Sequence, residues 1–288
     1  MSAVTPLDPG VCREHVRRAL AEDLGWGDVT TDALVGGARR ARARLIASRS
    51  TVVAGVALAE EAFRQLDPLA SIVLGVEDGA SLDEGGLVLE VSGNAGAMLT
   101  AERTARNFIA RLSGIATVTQ RCVAAARGCV VRSSRDTTPG FRLLEHYAVR
   151  VGGGAPYRAS LDAGVVATAQ HLRFAPDLAS GVRQVLALQV DQPMSIEVRD
   201  ATEIDVALEA GARRLIFGPS WGARLAEGIA HAAGRATLDV VLPDEASVAA
   251  VPLATLQHVA CVVVSGLTAT ASRGSFVFVV DPADPGGS

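Results

Sequence analysis

The sequence predicts an α/β protein in two parts: an N-terminal α/β sandwich domain, then a six-stranded parallel (β/α) barrel. Three observations predict it. Short apolar runs separated by glycine-containing turns fill the first ninety or so residues. One helical stripe crosses residues 99–116, where Ala101, Ala105, Phe108, Ile109, Leu112, Ile115 and Ala116 recur at spacings of three and four. From Cys129 onward the pattern becomes strand, loop, helix, repeated, which implies a parallel sheet covered by helices. The expected division is residues 1–116 for the first domain and 117–272 for the barrel.

Val16, Ala19, Leu20 and Leu24 make residues 11–24 a helix. Residues 40–53, 71–76 and 87–91 read as strands, with turns at Gly55, Gly79 and Gly85-Gly86. Thr100 is the expected N-cap of the central helix, its hydroxyl free to take a first-turn amide. Arg103, Arg106 and Asn107 fall off the apolar stripe, where they either meet an anion or are simply solvated. Barrel strands are expected at 129–132, 164–167, 194–198, 214–217, 237–242 and 260–264. Helices are expected at 141–151, 178–188, 202–210, 223–233 and 246–250. Chemistry in such barrels sits at the carboxyl ends of the strands. Residues 282–288 read as a frayed tail.

A chain of 288 residues with 49% hydrophobic and only 4% aromatic content can build a sizeable aliphatic core. Its net charge of -4 argues against nucleic-acid binding. No apolar run approaches the ~20 residues that cross a membrane. Residues 1–10 lack the basic and apolar regions of a signal peptide. Cys12, Cys122, Cys129 and Cys261 have no metal-ligand spacing, and read as free thiols in a cytoplasmic protein. All 27 basic residues are arginine; there is no lysine.

Several strings carry a resemblance. They are Thr100-Ala101-Glu102-Arg103-Thr104-Ala105, Asn107-Phe108 and Leu112-Ser113-Gly114-Ile115-Ala116-Thr117 in the helix. Upstream stand Glu22-Asp23-Leu24-Gly25, Gly27-Asp28-Val29-Thr30-Thr31, Val52-Val53-Ala54-Gly55 and Glu77-Asp78-Gly79. Downstream come Thr138-Pro139-Gly140-Phe141-Arg142, Tyr147-Ala148-Val149 and Gly152-Gly153-Gly154. Together they resemble the quinolinate phosphoribosyltransferase family. The resemblance implies that the run at 275–280 returns to the first sheet. It also implies a reaction that joins quinolinate to phosphoribosyl pyrophosphate and releases carbon dioxide, with Mg²⁺ on the pyrophosphate. It implies a dimer in which Arg103 reaches the neighbouring subunit's barrel.

Matched position by position, the carboxylate site survives in part. The family's Asn-His-Arg string stands as Pro156-Tyr157-Arg158, and Arg142 follows the Pro-Gly pair. Arginine's planar fork suits carboxylates. The expected substrate-binding residues are therefore Arg103, Arg142, Arg158 and Arg199. The phosphoribosyl site reads as dismantled. With Asp136 placed on the first residue of the family's Asp-Thr-Arg-Lys-Thr-x-Pro-Gly, the motif is three residues short and its arginine and lysine are missing. Thr168 replaces a second lysine, and Arg199 an aspartate. Pro243-Asp244 falls in the phosphate loop. Each lost electrostatic contact costs ~10²–10³ in rate, though not additively.

The expected function is accordingly a relative that has lost the phosphoribosyl pyrophosphate and magnesium site and takes a small heterocyclic or aromatic carboxylate. An inactive subunit and an active enzyme with a rebuilt site are the alternatives. Asp136, Tyr157, His171 and Glu197 are the candidate proton-transfer groups, with His171 alternatively a buried histidine satisfied by a backbone carbonyl. Glu197 and Arg199 share a strand face and either pair or leave Arg199 to the anion. No metal site and no cofactor are expected. Expected partners are a small-molecule carboxylate and a second copy of the chain or a paralogue, with neither nucleic acid nor membrane.

Overall fold

The computed structural model describes residues 4–35, 37, 39–188 and 191–282. Of the tail expected to fray at 282–288, Pro282 instead ends a strand, because it pairs opposite Ala41, and 283–288 lie outside the described residues, as do the first three positions of the segment read for a signal peptide. Two compact units form, one of residues up to Thr117 together with those from Ser272, the other Val118–Ala271.

In chain order the first unit carries α1 (Pro9–Leu24), α2 (Val29–Leu34), β1 (Arg40–Ala47), β2 (Thr51–Val52), α3 (Val56–Leu66), β3 (Ser71–Leu74), β4 (Ser81–Leu82) and β5 (Leu87–Asn94). Strand β1 alternates exposed arginines with buried Ala41, Ala43, Leu45 and Ala47, the period-two pattern of a half-buried antiparallel strand. It pairs antiparallel with β5 on one side. On the other it pairs with the C-terminal strand Phe276–Pro282, Ala47 opposite Phe276. The central helix, α4 (Ala95–Ala125), starts five residues before the expected cap. Asn94 Oδ1 accepts the Ala97 amide there, 2.9 Å away, so the start is capped before Thr100 is reached. The Thr100 hydroxyl instead donates to Asp28 Oδ2.

From Val118 the chain belongs to the second unit. Its elements are β6 (Val130–Ser133), α5 (Arg142–Val151), β7 (Ala155–Pro156), β8 (Val165–Ala167), α6 (Ala169–Leu172), α7 (Leu178–Leu186), β9 (Met194–Val198), α8 (Ala201–Glu209) and β10 (Arg214–Phe217). A 3-10 turn (Pro219–Arg224) leads to α9 (Leu225–Ala232), β11 (Thr237–Leu242), α10 (Glu245–Ala250), α11 (Leu253–Leu256), β12 (Cys261–Val264) and α12 (Gly266–Ala269). Seven parallel strands run in the order β7-β6-β12-β11-β10-β9-β8. The seventh, β7, is two residues long, too short to show any hydrophobic period. Among the described residues no ladder joins β7 to β8, so the sheet is a half-barrel. Asp177, Asp200 and Asp244 cap α7, α8 and α10, each accepting the amide three residues on.

Among the described residues all four cysteines are free. Burial favours the neutral thiol, pushing Cys12 and Cys122 up to about 11 and Cys261 up to about 12. Above the ordinary thiol range the unfolded chain loses these protons while the folded chain keeps them. Stability therefore falls as pH rises, by about 1.4 kcal/mol per pH unit for each group. The melting temperature should hold to about pH 8 and then decline, less steeply in Cys122→Ala. An equal decline in that variant would contradict the assignment.

Candidate active site

Asp239 is the one charge in β11, and its chain neighbours Leu238 and Val240 point to the opposite face of the strand. Asp239 is fully buried. Arg214, which opens β10, grips it with two bonds, Nε to Oδ2 at 2.6 Å and a terminal nitrogen to Oδ1 at 2.8 Å. The Tyr157 hydroxyl donates to Oδ2 at 2.7 Å. That leaves Ser195 Oγ, 3.1 Å away, to donate to the phenol oxygen. The Cys261 thiol donates to Oδ1. Both carboxylate oxygens are satisfied, as a buried charge requires. Burial, with the neighbouring Asp239 charge, drives the Tyr157 hydroxyl far above its usual range, while its bonds to Asp239 hold Arg214 charged.

Beside this network lies a cavity of about 90 Å³ whose polar lining is Arg132, Tyr157, Arg158, Ser195 and Arg214. Gly164 and Pro193 in its lining precede β8 and β9, and Arg214 opens β10, so it lies at the amino ends of these strands and not at the carboxyl ends the sequence pointed to. Arg132 donates to the Pro156 carbonyl at 2.9 Å, yet its Nε is buried without a hydrogen-bond partner. Arg158 donates to the Gly164 carbonyl at 2.9 Å. Burial lowers the Arg158 pKa, and the nearby charge of Arg135 lowers it further. Arg135 Nε is also buried and unpartnered. Three guanidiniums line the cavity, and the one carboxylate paired with them, Asp239 on Arg214, is buried behind its wall, an excess of two positive charges. Such an excess calls for an anion, and arginine forks match carboxylates and phosphates.

The family models of the quinolinate phosphoribosyl transferase N-terminal and C-terminal domains match residues 28–113 and 115–266. The chain belongs to this family. It is 38% identical to a probable nicotinate-nucleotide pyrophosphorylase (carboxylating) of Synechocystis, over 62% of this chain and 61% of that protein. With the nicotinate-nucleotide pyrophosphorylase (carboxylating) of Mycobacterium leprae it shares 37% identity, over 68% of this chain and 71% of that protein. The solved structure of the Francisella tularensis nicotinate-nucleotide pyrophosphorylase superposes with a TM-score of 0.86 at 28% identity, covering 98% of this chain and all of that one.

These relatives overturn the expectation of a carboxylate-binding protein that has abandoned the family's reaction; they support an active enzyme over both a repurposed and an inactive one. One reason for the misreading is register. Laid without a gap, Asp-Thr-Arg-Lys-Thr-x-Pro-Gly covers Ser133 to Gly140, with Thr137, Pro139 and Gly140 in place. The motif is not shortened: its arginine is Arg135, directly beyond β6, and its lysine position holds Asp136. Asp244 caps α10, accepting the Ser247 amide.

Of the expected site residues, Arg158 and Tyr157 meet at the cavity. Tyr157 does so as a clamped donor, its hydroxyl bonded to Asp239 and its pKa raised by burial. His171 is not buried. It is exposed, and its Nδ1 accepts the Thr168 amide in a capping box on α6. Arg199 pairs with Glu203 rather than Glu197, and is 56% exposed. Glu197 accepts the Ala169 amide at 2.8 Å. Asp136 is exposed and accepts from the Ser134 hydroxyl. Arg142 bonds Thr137 Oγ1 and the Ala159 carbonyl, bracing the two loops around Arg135 and Arg158. Arg103, in the first unit, is exposed beside a hollow lined by Arg106, Asn107 and Arg273. Sequence reasoning missed Arg132, Arg214 and Asp239. Their signal was present: a single charge in each of three short, otherwise largely apolar strands.

Proposed function

We propose that the chain catalyses the nicotinate-nucleotide pyrophosphorylase (carboxylating) reaction with an arginine-rich version of the family site. The ring nitrogen of pyridine-2,3-dicarboxylate supplies the electron pair for a bond to ribose C1. The C1–O bond breaks, and pyrophosphate departs with its electrons. The carboxylate beside the nitrogen then leaves as carbon dioxide, and its ring carbon takes a proton. The observation that carries this reading is the arginine cavity with its excess positive charge, joined to Arg135 at the motif position. Arg158 and Arg135 orient the carboxylates, and Tyr157 walls the cavity as a neutral group.

Among the described residues no three His, Cys, Asp or Glu side chains gather into a metal centre. Glu197, on the same face of β9 as Ser195, is a single carboxylate of the kind that contacts Mg²⁺ arriving on a substrate's phosphates. The reading takes the active form as a cytoplasmic homodimer, with the exposed Arg103 offered to a second copy. No helix among the described residues is long and apolar enough to cross a membrane.

Incubation with pyridine-2,3-dicarboxylate, phosphoribosyl pyrophosphate and Mg²⁺ should yield nucleotide and carbon dioxide in equal amounts, dependent on the metal. Folded protein giving no product above the enzyme-free control would overturn the reading.

A further inference from the structure

Arg135 stands on the loop 134–141, between the end of β6 and the start of α5. The loop contains neither helix nor strand. Arg135 lies close enough to Arg158 to disfavour its charge, and two like charges repel until an anion comes between them. An untethered loop would relieve that repulsion by swinging away, and substrate would have to draw it back. Bonds on both sides of Arg135 oppose this. Upstream, β6 is laddered to β12, with Ser133 opposite Val264. Downstream, the Thr268 hydroxyl of α12 donates to the Asp136 carbonyl at 2.7 Å. Two residues further on, Glu145 takes hold of Thr138 with both carboxylate oxygens, accepting the amide at 3.0 Å and the hydroxyl at 2.8 Å. The Thr138 carbonyl accepts the Phe141 amide at 2.9 Å, which closes the turn into the helix. Thr138 is exposed, whereas Glu145 is fully buried in the first turn of α5. A buried carboxylate is costly unless its oxygens are bonded. Here each oxygen is bonded to a surface loop, and bonds to a carboxylate are roughly twice as strong as neutral ones.

We infer that Glu145 is a positioning residue: by clamping Thr138 from beneath, it holds Arg135 within reach of Arg158 before any anion arrives. The inference rests on the phosphoribosyltransferase reading for the use made of Arg135, but its test does not require turnover.

The test joins amide exchange of the loop to a double-mutant cycle, both on the full chain. Glu145→Gln keeps the shape and removes the charge. Peptides spanning 134–141 should then exchange about tenfold faster while those of the barrel strands do not change. Calorimetry should show pyridine-2,3-dicarboxylate bound about three- to tenfold more weakly. In an Arg135→Ala background the same substitution should alter that affinity by less than about twofold, because the group it positions is gone. A merely structural role would weaken binding equally in both backgrounds, and that result overturns the inference. So does unchanged loop exchange in Glu145→Gln. If Glu145→Gln does not fold, Thr138→Val serves, since it removes one of the two bonds at an exposed side chain and should act in the same direction. If exchange and cycle behave as described but no nucleotide forms with phosphoribosyl pyrophosphate and Mg²⁺, the inference stands and the phosphoribosyltransferase reading falls. If nucleotide forms while Glu145→Gln moves neither exchange nor affinity, the reverse holds. Unaltered protein that does not bind the acid removes both.

Discussion

Asp239→Ala should destabilise the protein by about 3–5 kcal/mol, the usual consequence of removing one partner of a buried ion pair. Asp239 is wholly buried and Arg214 only 28% exposed. Without the carboxylate, the Arg214 guanidinium loses both of its bonds, the Tyr157 hydroxyl loses its acceptor and Cys261 loses its own. Thermal melting should show a fall on the order of 10 °C. The loss comes from the stranded charge more than from the pair's own strength. Asp239→Leu combined with Arg214→Met should therefore recover most of it, since no unpaired charge remains. A melting temperature unmoved by Asp239→Ala would mean that the network contributes nothing to the fold.

Arg135→Ala should lower kcat/KM for nucleotide formation by about 10²–10³, the range for loss of one preorganised electrostatic contact. Arg135 stands directly beyond β6, close enough to Arg158 to depress its pKa, and its Nε is buried without a partner. Two guanidiniums held together with an unused donor are set for an anion, and they become favourable when one arrives. Arg135 Nε makes no bond within the protein, so the melting temperature should stay put while activity falls. Arg135→Lys keeps the charge but not the planar fork, and should restore only part of the rate. Equal kcat/KM in the alanine variant and the unaltered protein would remove Arg135 from the site.

The half-barrel was legible where the chain is apolar for four or more residues between turns. Met194–Val198, Arg214–Phe217 and Thr237–Leu242 carry the same bounds in sequence and structure. The strand at Ala155–Pro156 was not legible, because two residues show no period. Helix α4 was legible in its middle but not at its start, where Ala95-Gly96-Ala97 offers little pattern and the cap is Asn94. The site divided differently. Arg158 could be found from its neighbours in the chain. Arg132, Arg214 and Asp239 come from three separate strands and join only when the sheet curves them inward. The loop holding Arg135 was misread through a displaced register, a local error that made a full-length motif look truncated. His171 was half legible: the sequence offered it as a proton-transfer group or a buried histidine, and could not show that it is exposed with Nδ1 on the Thr168 amide.

The pairing of Arg40–Ala47 with Phe276–Pro282 also bears on how the protein is made. The two strands are separated by more than two hundred residues of chain, yet β1 has one of its two sheet neighbours only when the last stretch is available. At ~5–20 residues per second, the ribosome exposes β1 for roughly 10–50 s before its partner is synthesised. Over that interval one edge of β1 is an open row of amides and carbonyls, the kind of edge that recruits foreign strands. The alternating arginines at Arg40, Arg42 and Arg44 place charge along it during the wait. The unit Val118–Ala271, continuous in sequence, is complete before that partner emerges. The N-terminal sheet therefore closes only after the half-barrel has been synthesised. Chains cut short before residue 276 should be retained by chaperones or aggregate even though their half-barrel is whole.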